Sequence, residues 1–131
     1  MQPAKSDAEA SLRQAMDHIP QCIAVFDQRL RLVTSNARYN SLLELPAALQ
    51  QPGTPLFDIA LFLGDRGDLG DGDAARLAIE RINLLTSSPI TVTQRRGNGG
   101  QTLEFQSSRL PDGGLVIALD RKSVVYGKSV G

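Results

Sequence analysis

Apolar and polar residues follow two different periods along this chain, and the places where the period changes mark its elements. Residues 22 to 27 and 30 to 35 are rich in Ile, Val, Phe and Leu and alternate like short strands. Asp27 opens the turn between them, where a short carboxylate can accept from backbone amides two residues on. In the second strand Leu30 and Leu32 face one way, Arg31 and Val33 the other. Asn36 stands where the period changes from two to that of a helix. As an N-cap it would satisfy the first amides of a helix that carries Tyr39, Leu42 and Leu43 and stops before Pro46.

The segment "GTPLFDIALFLG" predicts a second helix, with Thr54 as N-cap, Pro55 at the first helical position and Gly64 at the left-handed C-terminal position. It is apolar nearly all round, so it needs burial on more than one side. A polar loop, "DRGDLGDGD", leads to a helix over about residues 74 to 86. There Ala74, Leu77, Ala78, Ile82 and Leu85 form the stripe, and Arg76 pairs with Glu80 outside it. Pro89 ends the helical period. "ITVTQRR", "QTLEFQSSRL" and "LVIALD" then alternate, separated by "GNGG" and "PDGG", which predicts an antiparallel meander of three strands.

Ahead of all this lies a further amphipathic helix. Ser6-Asp7-Ala8-Glu9 matches a capping box, Leu12, Ala15, Met16 and Ile19 recur at helical spacing, and Pro20 ends the run. The order is helix, two strands, several helices, three strands. It predicts an α+β fold in which one five-stranded antiparallel sheet has helices over one face. Residues 1–20 form an N-terminal capping or dimerisation helix, 21–121 the domain, and 122–131 the start of a linker or a cloning scar.

Composition narrows the function more by exclusion than by suggestion. The 131 residues suit one domain with a single core. Lys plus Arg equals Asp plus Glu at 14 each, so no overall field draws the chain to nucleic acid or to an anionic membrane. No apolar run reaches membrane-spanning length, the N-terminus lacks a secretory signal, and the single cysteine, Cys22, fits a reducing compartment, so a cytoplasmic setting is expected. One His and one Cys cannot supply tetrahedral zinc ligation by themselves, so no metal site is expected. A Ser or Cys nucleophile would have only His18 as base. "GKS" at 127 to 129 has Lys122 where a phosphate loop needs glycine. The aspartate-rich loop has Gly67 at the third position of a calcium loop and no closing glutamate, and Asp71 and Asp73 read as charges at a helix start. The domain is not expected to be an enzyme.

The order of elements, with Asp27 at the first turn, the basic-apolar "RLV", Asn36 opening a helix, "PDGG" before "LVIALD" and a terminal Asp120, resembles the PAS domain of bacterial signalling proteins. The resemblance covers roughly residues 10 to 121. It implies that the first hairpin makes the centre of the sheet, with the helices folding back over it. Two departures stand out. Many members have glycine where Leu30 stands, so a turn of another type, or one displaced by a residue, is expected here. "DRKS" places Ser123 one position late for the Asp-x-Thr step into a signalling helix.

Such domains hold ligands between sheet and helices, which makes Phe26, Phe57, Phe62, Ile79, Phe105 and Ser107 candidate wall residues; the same side chains could simply fill a core. The resemblance argues against haem, since the 74 to 86 helix has no histidine, and against covalently bonded flavin, since Cys22 lies in the first strand. Whether any cofactor is bound is left open. Asn36 is expected to be a structural cap, and Asp120 and Arg121 the outlet to an output domain. Leu12, Met16 and Ile19 would form a homodimer interface. The expected function is sensing or regulation in a signal-transduction protein such as a histidine kinase, through a small molecule, dimerisation or both. The rival is a ligand-free interaction module.

Overall fold

In a computed structural model the described residues are 11, 14, 15, 18, 20–87, 89–95 and 102–121. The capping box, Leu12, Met16, Ile19, the "GNGG" turn and the tail 122–131 lie outside them. The elements are β1 (Cys22–Phe26), β2 (Leu32–Ser35), α1 (Ala37–Leu43), a 3-10 turn (Ala47–Gln50), α2 (Leu56–Asp65), α3 (Ala74–Thr86), β3 (Ile90–Arg95), β4 (Thr102–Arg109) and β5 (Leu115–Arg121). All strand pairings are antiparallel within one sheet, in the order β2-β1-β5-β4-β3. The fold is α+β, as expected.

The first hairpin is not the centre of that sheet, however. β5 is, paired with β1 from Cys22↔Leu119 to Phe26↔Leu115 and with β4 from Leu103↔Arg121 to Arg109↔Leu115. β5 buries Leu115, Ile117 and Leu119, and the middle position covers that strand on both edges. β2 is left at one edge and is capped by the segment after the 3-10 turn. Leu32 donates its amide to Thr54 O at 2.8 Å, and Gly53 donates to Leu32 O at 2.7 Å.

Alternation sets the core. Ala24 and Phe26, Leu103 and Phe105, and the three buried β5 residues share the inner face. Tyr39 and Leu43 of α1, Leu56, Ile59 and Leu63 of α2, and Ala78 and Leu85 of α3 close over them. Each large side chain so buried contributes ~1.5–3 kcal/mol relative to exposure.

Three local expectations are corrected by the structure. α2 begins after Pro55, which occupies the N-cap with no side-chain bond, and the Thr54 hydroxyl donates instead to Gln51 O at 2.6 Å. Gly64 lies inside α2. A Cβ there would meet Ala74 O at 3.1 Å, so this glycine serves the close approach of α2 to α3 and not a left-handed cap. Leu30 does adopt the left-handed conformation, with φ 61°. The Asp27 carboxylate accepts from the amides of Arg29 (2.9 Å) and Arg31 (3.0 Å), and the Leu30 side chain packs on the core. That packing offsets a strain of ~1–2 kcal/mol.

The "PDGG" turn behaves as its residues suggest. Asp112 Oδ1 accepts from Gly114 N at 2.8 Å, Gly113 has φ 94°, and a Cβ on Gly114 would stand 2.7 Å from Phe26 O.

Candidate functional site

The six candidate wall residues do not form one wall. Phe26, Phe105 and Ser107 are buried at the inner face, and the Ser107 hydroxyl donates to Leu85 O at 2.8 Å. Phe57 and Phe62 are half-buried on α2, and Ile79 is 51% exposed on α3, turned away from the interior. The inner polar hydroxyl is therefore bonded to the backbone of α3, and the two buried phenylalanines are core.

A charged side chain that the sequence reading left out lies beside them. The Arg81 guanidinium stands 5.4 Å from the centre of the Phe105 ring, a distance that permits cation–π attraction, and burial lowers its pKa. Its position was readable in outline. Arg81 falls three residues after Ala78 and four before Leu85, on the apolar stripe of α3.

Asn36 is a buried junction. Its Oδ1 accepts from Tyr39 N at 3.0 Å, which caps α1, and from Ile23 N at 3.1 Å in β1; its Nδ2 donates to Gln21 O at 2.6 Å. The side chain is fully buried, so each of these bonds replaces a bond to water and omitting one is costly. Beside it Tyr39 is buried too, and burial pushes its phenol well above the ordinary value.

An open depression lies at the rim of the sheet. The start of β1, the end of β5 and the outer side of α1 enclose a depression of about 660 Å³, with Pro20, Cys22, Arg38, Glu44, Asp120 and Arg121 among its walls. Asp120 and Arg121, expected at the outlet, thus lie directly beside the start of the domain. The Cys22 thiol is pushed up by burial and by Asp120, while Arg38 and Arg121 pull it down. The upward shift disfavours the thiolate, the nucleophilic form of the side chain.

The profile of a family described as PAS fold matches residues 16–120. The chain belongs to the PAS fold family. Solved structures agree in fold. The PAS domain of BvgS from Bordetella pertussis superposes with a TM-score of 0.62 at 14% identity, covering 95% of this chain and 92% of that one. A phage VqmA–DPO complex gives 0.56 at 14% identity over 89% of this chain and 54% of that chain. The PAS domain of an HTR-like protein from Haloarcula marismortui gives 0.51 at 15% identity, covering 89% and 99%. No curated protein matches the sequence.

Within this PAS domain the described residues contain no helix long and apolar enough to cross a membrane. The end of α1 is tied to the end of α2 by an arginine that sequence reasoning also missed. Arg66 bonds Asp68 at 2.6 Å, and Asp68 is only 5% exposed. Local spacing cannot reveal this, because the other acceptors of Arg66 are the carbonyls of Leu43 and Glu44, more than twenty residues earlier.

Proposed function

We propose that this PAS domain is a sensory or regulatory module of a cytoplasmic signal-transduction protein, of the histidine-kinase type, that acts by contact. Its partners are a second copy of itself and an output domain following Asp120–Arg121. Catalysis belongs to the output domain. The observation that carries this reading is how the interior is used: Phe26 and Phe105 are core, and the Ser107 hydroxyl is held by Leu85 O. A domain with its interior so occupied signals through its surface and its two ends, which here meet at one rim. Leu12, Met16 and Ile19, just ahead of that rim in sequence, supply the apolar face for a two-fold interface.

Small-molecule sensing is the second reading, supported by Phe57 and Phe62. These apolar rings remain half-buried on α2 and would be covered further by a ligand bound against that helix. Only a ligand with different affinity for two packings of α2 would transmit anything. Native mass spectrometry of the freshly purified chain separates the two. The contact reading expects a bare dimer that Met16→Asp converts to monomer. A retained small-molecule mass, lost in Phe105→Trp, supports the second reading, and a bare monomer overturns the interface.

A further inference from the structure

Arg66 stands where three parts of the domain meet. Its Nη2 donates to Leu43 O at 2.8 Å and its Nη1 to Glu44 O at 3.2 Å, carbonyls at the C-terminal end of α1. Nε and Nη2 also reach Asp68 Oδ2 at 3.1 and 2.6 Å in the loop after α2, and the guanidinium lies 4.9 Å from the centre of the Phe62 ring on α2 itself. Carbonyls at a helix C-terminus attract a cation, and a carboxylate as deep as Asp68 needs one beside it. Lysine would supply the charge but not the planar fork that serves four acceptor contacts at once.

The element so held ends in a left-handed cap, whose amide donates to the carbonyls of Asn40 and Ser41. α1 closes on Glu44 at φ 52°, a left-handed conformation that L side chains disfavour. The same helix forms one side of the rim depression, where Arg38, Leu42 and Glu44 face Cys22, Asp120 and Arg121. One guanidinium therefore touches both the helix that covers the core and the end of the helix that walls the outlet.

We propose that Arg66 and Asp68 form a coupling latch: a displacement of α2 is carried through Arg66 to the end of α1, and from there to the groove beside Asp120–Arg121. Closed, the latch holds the carbonyls at the end of α1, and with them α1 against the rim. Opened, it releases the end of α1 and exposes Cys22. Calling the rim an outlet rests on the function proposed above, but the coupling does not.

Cys22 is the chain's single cysteine and lines the groove, so its reaction with an aromatic disulfide reagent reports the latch. In Arg66→Lys the labelling rate is expected to rise roughly tenfold, since hydrogen bonds to charged groups hold local structure by a decade or more in equilibrium constant. Ile117→Val, a core variant, gives the labelling produced by general destabilisation. Hydrogen exchange over residues 37–45 should quicken in Arg66→Lys and not in Ile117→Val. Equal labelling of the two variants at matched urea midpoints would overturn the latch. A dimer with no latch effect would leave the function reading standing alone, whereas a bare monomer with fast Cys22 labelling would leave only the latch.

Discussion

The interior of the domain and its rim are built from the same elements but use their residues differently. In the interior, Phe26, Leu103, Leu115 and Ile117 are at most 1% exposed, and the polar Ser107 is bonded to backbone. At the rim, the ends of β1 and β5 and the outer side of α1 bring together groups of both signs and a half-buried thiol around open space. The difference teaches where a change of residue is felt as stability and where it is felt as interaction. A close-packed interior transmits strain but has little freedom to vary. A rim of partly solvated charges adds little stability and is free to recognise something.

That contrast should appear as a graded series. Phe26→Ala, which empties the fully buried end of β1, is expected to cost ~3–5 kcal/mol in urea unfolding. A cost below ~1 kcal/mol would mean the interior is looser than it looks. Asn36→Ala should come next, at ~2 kcal/mol, because it removes the cap of α1 and leaves Ile23 N and Gln21 O without this partner. Asn36→Asp, which keeps the acceptors but not the donor to Gln21 O, should fall between Asn36→Ala and wild type. At the rim, Arg38→Ala should change stability by no more than ~0.5 kcal/mol. It should still raise the Cys22 titration further, since Arg38 is one of the two cations pulling it down. A large stability loss in Arg38→Ala with no change at Cys22 would erase the distinction between the two regions.

Much of this architecture was legible from local pattern. Asp27, Asp73, the "PDGG" turn and the capping bond of Asn36 to Tyr39 N act through atoms within a few residues of themselves, so spacing and residue type suffice to place them. Asp73 accepts from Arg76 N at 2.9 Å at the start of α3, as a capping charge should. The misplacements have other causes. Thr54 loses its capping role to a bond with Gln51. Gly64 is spent on the approach of α3, and Leu30 takes a glycine-like φ because its side chain gains core contact. At Gly64 and Leu30 a contact distant in sequence outweighs a local preference worth ~1 kcal/mol, whereas Thr54 is drawn off by a carbonyl three residues earlier.

The candidate site divides along the same line. Asp120 and Arg121 could be picked out as the end of the last strand, but not as neighbours of Pro20 and Cys22, which needs the pairing of β1 with β5. Ile79 looked like a wall because apolar residues on a helix are presumed inward, whereas the face of α3 that packs down carries Ala78, Arg81 and Leu85. What the sequence by itself determined is the succession of strands and helices, the caps and turns that separate them, and hence the family. Those depend on period and on bonds closed within one turn. Which strand takes the centre, which glycine is a packing contact, and which arginine clasps which carbonyls were decided by the tertiary structure. There, residues separated by twenty to a hundred positions compete for the same space and the same hydrogen-bonding groups, and no local pattern encodes the outcome.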